Sequence, residues 1–140
     1  VTVLLDDHLL RDWMTGSDVP LRDAIGGEDV ATTNLWYVRL CKSASRSEPG
    51  ALLGRLNSRA RQAVVAGLVD LPKDVRVVNM RTLAWRMGEL MSHGGGLSTL
   101  GAEAIAAAEE LEARMVVSDR DLSPAMLAGC QRLGISFSIV

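Results

Sequence analysis

Four aspartates stand where chemistry could be done. Asp6 and Asp7 close the short apolar run Val1 to Leu5; Asp119, with Asp121 close behind, follows the run Met115 to Val117. Such runs read as strands buried on both faces of a parallel sheet. Ligand sites in parallel sheets lie beyond the carboxyl ends of the strands. If these two strands are neighbours, their carboxylates meet at one rim. Clustered carboxylates repel one another unless a hard cation sits between them, and Mg²⁺ and Mn²⁺ favour such oxygen ligands. A metal held there activates water and neutralises charge on a phosphodiester. The expectation is a metal site at Asp6 and Asp119, with Asp6, Asp119 and Asp121 as catalytic acids and Mg²⁺ or Mn²⁺ as cofactor. The competing reading places the acids near helix N-termini, where the dipole favours negative charge; Asp121 suits that reading as well.

A phosphodiester also needs basic partners, and charge along the chain is uneven. The net charge is −2, yet residues 39–86 hold ten basic and three acidic groups between two acidic flanks. That middle is compatible with contact to a phosphate backbone. Arg39, Lys42 and Arg46, three and four apart, form one stripe on a helix expected from Asn34 to Arg46. They are the expected nucleic-acid contacts; the alternative is a set of solvated helix faces. His8 and His93 have no His or Cys partner at zinc spacing. Gly94 to Gly96 lack the Lys-Ser/Thr of a phosphate loop and read as a hinge. Cys41 reads as packed.

The elements that must position these groups follow from periodicity and caps. Leu9, Leu10, Trp13 and Met14 recur at helical spacing, and Gly16 stops that helix. Residues 17–28 are polar and Gly-rich and read as a connector, with a short strand at Val30 to Thr32. Thr33 is an N-cap for the next helix. Ser43 to Gly50 is a small, polar break. A helix is expected from about Ser58 to Leu68, a strand at Val75 to Val78, and a helix through Leu83, Met87, Leu90 and Met91. An Ala-rich helix from about Leu100 to Glu112 precedes the strand ending at Val117. Ser123-Pro124 starts a last helix that Gly134 ends, before a strand over Ile135 to Val140. This alternation predicts one α/β domain over residues 1–140, a mostly parallel sheet of about five strands with helices on both faces.

Composition fits that class. At 140 residues the chain is long enough for its own core, and 48% hydrophobic with 23% charged residues excludes disorder. With 4% aromatics the core must be aliphatic. No apolar run approaches ~18 residues, so no membrane span is expected; no signal peptide is visible, and Val1 suggests a trimmed end. Two cysteines make no disulfide framework, which points to a cytoplasmic setting. Trp13, Trp36 and Trp85 fall on expected helices and suggest a homodimer.

Most of the chain resembles a PIN domain, the small nuclease fold of VapC-type toxins. Val3-Leu4-Leu5-Asp6 resembles the family's opening, Thr32 to Tyr37 its second conserved helix, and Leu100 to Leu122 its Ala-rich helix, strand and acid. The resemblance implies a nuclease-related protein that engages RNA, with an antitoxin-like protein as partner. It places Asp6 and Asp119 on two of about four family acids; Asn34 and Gly101 stand at the other two. Glu103 lies about 200° round the helix from Gly101 and is expected in solvent. The implied metal site is thus depleted and its activity weak or absent; the alternative is an active Mg/Mn-dependent ribonuclease. Val3 to His8 also resembles the start of a response-regulator receiver domain, the lesser alternative. Pro49 to Gly54 offers no phosphoacceptor Asp, and no Lys follows Lys73.

Overall fold

Burial along the strands decides the layering. The computed structural model describes residues 1–16, 18–46 and 56–140. In it β1 (Thr2–Leu5), β2 (Asp29–Thr32), β3 (Val75–Val77), β4 (Arg114–Val117) and β5 (Phe137–Ile139) pair in parallel in the order β3-β2-β1-β4-β5. Successive side chains leave opposite faces of a strand. Leu4, Ala31, Met115 and Val117 therefore join one core, and Val3, Leu5, Val30, Val75 and Val116 join the other.

The helices divide between those cores. Helices α5 (Met80–Ser92), α6 (Thr99–Leu111) and α7 (Pro124–Leu133) cover the first face. Helices α1 (Asp7–Thr15), α2 (Val19–Ile25) and α4 (Ser58–Val69) cover the second. Helix α3 (Asn34–Ala44) reaches both, with Trp36 in one core and Leu40 in the other. The single α/β domain with helices on both faces is as the sequence pattern predicts. No helix among the described residues is long and apolar enough to cross a membrane.

Three expectations need correction. Helix α2 occupies what reads as a polar connector. Asp18 caps it by accepting from the Leu21 amide, Pro20 sits in its first turn, and Gly26 closes it at φ +62°. It buries only Leu21 and Ile25, too few apolar positions to register as a period. Trp36 is 2% exposed and belongs to the chain's own core, so its side chain offers almost no surface to a second copy. Trp85 is 82% exposed, while Trp13 is partly buried against the second core. The third correction is Glu103, which is fully buried, for reasons given below. Residue 17 of the connector, residues 47–50 of the Ser43 to Gly50 break and the stretch Pro49 to Gly54 lie outside the described residues.

Candidate functional site

From β1 the chain runs to β2 on one side, while β4 lies on the other. A crevice at the carboxyl end of β1 follows from that reversal of strand order. A cavity of about 250 Å³ lies there, lined among others by Asp6, Asp7, Arg39, Ser98, Asp121 and Ser123.

Asp6 ends β1 and caps α1. Its Oδ1 accepts from the Leu9 amide at 2.9 Å, and its Oδ2 accepts from the Ser118 amide at 2.7 Å. The second bond crosses to the chain leaving β4, so the carboxylate ties the two strand ends together. Burial pushes the Asp6 carboxyl up and the Asp7 charge adds to that; the two amides and His8 act in the opposite direction. Because the chain turns helical directly after Asp6, Asp7 occupies the first position of α1 instead of continuing the strand. Its carboxylate joins the cleft, where Oδ2 lies 3.1 Å from the Arg39 Nε. The signal for this in the sequence is Asp6 three residues before the apolar pair Leu9-Leu10, an N-cap spacing.

Arg39 bridges the acids. Its guanidinium pairs with Asp7 through Nε and hydrogen-bonds Asp121 through Nη2. Burial pulls the guanidinium pKa down, but the Asp121 hydrogen bond and the charges of Asp7, Asp121 and Asp6 together raise it. Lys42 and Arg46 are exposed, so the stripe read from spacing separates: Arg39 faces the cleft and the other two face solvent.

Asp119 stands elsewhere. Leu5 is level with Val116 in the β1–β4 register, which sets Asp6 beside Val117 and Ser118. Asp119 lies one step further, exposed in the 3₁₀ turn Asp119–Asp121, and its amide donates to the Val140 carbonyl beside β5. The structure brings together Asp6, Asp7, Asp121 and Arg39 around the cavity; Asp119 is not among its lining residues.

Asn34, partly buried, and Glu103, fully buried, form a second cluster beside the cleft. The Asn34 amide nitrogen donates to the Val78 carbonyl at 2.5 Å and to Glu103 Oε2 at 3.0 Å. Glu103 Oε1 accepts from the Leu35 amide at 2.8 Å. The Thr33 hydroxyl accepts from the Trp36 amide, so two side chains satisfy the exposed N–H groups of α3. Glu103 is buried because α6 is enclosed almost all round, with Gly101 to Ala108 out of water. A helix with no solvent face offers no outward direction, whatever the rotation from Gly101.

These side chains do not fit a divalent cation as they stand. Each Asp6 oxygen already accepts an amide, and Asp7 and Asp121 face a guanidinium. Among the described residues no three of His, Cys, Asp and Glu converge as a metal-holding group.

No family model and no curated protein matches the sequence. Among solved structures, the chain is similar to Mycobacterium tuberculosis VapC20, a Sarcin-Ricin loop cleaving toxin, at 16% identity and a TM-score of 0.55. The match covers 91% of this chain and 94% of that one. The acid that follows β1 and the Ala-rich α6 ahead of β4 are features on which the resemblance to a PIN domain rests. The chain has a VapC-like PIN fold.

Proposed function

We propose that this PIN-fold protein is nuclease-related, engages RNA through its phosphodiester backbone, and cleaves it weakly or not at all. One observation carries the reading. The carboxylates at and beside the cleft are bonded to the protein itself: Asp6 to two backbone amides, and Glu103 to the start of α3. Each oxygen so engaged keeps a lone pair, but the amide bonds draw on its charge and fix its direction, so Mg²⁺ or Mn²⁺ would be held weakly. Similarity to a toxin that cleaves the Sarcin-Ricin loop supports RNA as the ligand class. Lys42 and Arg46, exposed on and just after the helix that starts at the cleft, supply the phosphate contacts. Asp6 and Asp121 are the acids this reading places nearest any phosphodiester, with Asp119 outside the cavity lining. The same reading includes an antitoxin-like protein partner, a homodimer and a cytoplasmic setting.

The second reading, an active Mg/Mn-dependent ribonuclease, is favoured by the shared cavity of Asp6, Asp7 and Asp121. A retardation gel with end-labelled stem-loop RNA and added Mn²⁺ separates the two. Retarded, intact RNA is expected; multiple-turnover cleavage supports the active enzyme instead.

A further inference from the structure

The acidic cleft already contains a cation. The Asp7 side chain is only 5% exposed, and a carboxylate buried so deeply needs a counter-charge. Among the described residues its ion-pair partner is the Arg39 guanidinium, at 3.1 Å through Nε, while Nη2 of the same group holds Asp121. The planar fork allows one residue to serve two carboxylates that come from opposite ends of the chain. Asp121 at 51% exposure would contribute little as a lone surface pair, and Arg39 itself is 40% exposed. The weight of the arrangement therefore falls on Asp7. A dication placed among the same oxygens would meet the guanidinium as a like charge. It could take those ligands only after Arg39 had withdrawn.

We propose that Arg39 is the resident cation of the cleft, closing Asp7 and Asp121 to a divalent metal ion for as long as its guanidinium bridges them. In effect, the protein carries on α3 the positive charge that such a cleft would otherwise draw from solution. This inference concerns cation occupancy alone and holds whether or not the chain binds RNA.

Mn²⁺ titration of the full chain, read by thermal unfolding, tests it. Arg39→Met keeps an apolar stem and removes the charge. The wild type should show no shift in Tm up to about 1 mM Mn²⁺. Arg39→Met should unfold about 4 °C lower, and Mn²⁺ should recover most of that loss. Adding Asp7→Asn to Arg39→Met should abolish the recovery. Arg39→Lys, which keeps the charge, should remain insensitive to Mn²⁺. If Arg39→Met fails to fold, Arg39→Gln carries the same expectation, because its amide still offers Asp7 a donor without a charge. The inference is overturned if Mn²⁺ raises the wild-type Tm as much as the variant's. A folded charge-free variant that Mn²⁺ does not stabilise overturns it equally.

Discussion

Glu103 has no exposed surface, yet it sits among the alanines of α6. It is tolerated there because its two oxygens take the Leu35 amide and the Asn34 side-chain amide, and because the N-terminal end of a helix favours negative charge. Truncation leaves the Leu35 amide without its acceptor and the Asn34 amide with the Val78 carbonyl alone. Glu103→Ala should therefore lower stability by about 3 kcal/mol in urea unfolding, and Glu103→Gln, which keeps one acceptor, by about half as much. An unchanged midpoint for Glu103→Ala would remove the cluster from the account. The same geometry makes Asn34→Glu unfavourable, since it would set a second carboxylate against Glu103. At this scale the sequence was partly legible. Asp6 directly follows β1 and Asp121 comes shortly after β4, positions that show in the apolar runs, whereas Asp119, expected to share a site with Asp6, is exposed and outside the cavity lining. Glu103 is buried where its angular position points to solvent, because that position predicts exposure only when the helix has a wet side. The Arg39 bridge was illegible for another reason: Asp7 and Asp121 are far apart in sequence, and spacing along α3 says nothing about what α3 faces.

Helix α6 gives the fold its density. Ala102, Ala104, Ala106, Ala107 and Ala108 are all buried, and small side chains let the helix lie close to the sheet and to α5 and α7. The Ser98 hydroxyl accepts from the Gly101 amide and sets where the helix begins. Ala107 is fully buried, so Ala107→Leu must push neighbouring groups aside and should cost about 2 kcal/mol in chemical denaturation. A neutral or stabilising result would mean that space remains beside the helix. Elements with strong punctuation were legible: Gly16 ends α1, Thr33 caps α3, and Ser123-Pro124 opens α7 with Gly134 after it. The exception, α2, has equally good caps in Asp18 and Gly26 but lacks the apolar repeat on which a helix reading depends.

For the whole molecule, strand alternation with helices announced a parallel sheet, and the adjacency of β1 and β4 made a shared rim. How the rim is wired could not be read from topology. The proposed homodimer also belongs to this scale. Trp85, the most exposed of the three tryptophans, is the side chain a two-fold contact would cover. Sedimentation velocity at micromolar concentration should show a dimer that Trp85→Ala shifts toward monomer; a wild-type monomer would rule the pairing out. The proposed function is backbone contact with RNA at the flank of the cleft, with little or no cleavage. Lys42 and Arg46 are exposed, and among the described residues the cleft carboxylates Asp7 and Asp121 pair with Arg39, so reversing the sign of the other two leaves those pairs in place. The most direct measurement is the gel retardation of labelled stem-loop RNA, at rising salt, by wild type and by Lys42→Glu/Arg46→Glu. The account predicts intact RNA retarded by the wild type, affinity falling as salt rises, and a weaker dependence on salt in the variant. Equal retardation and equal salt dependence for both proteins, or no retardation by the wild type at low salt, would contradict it.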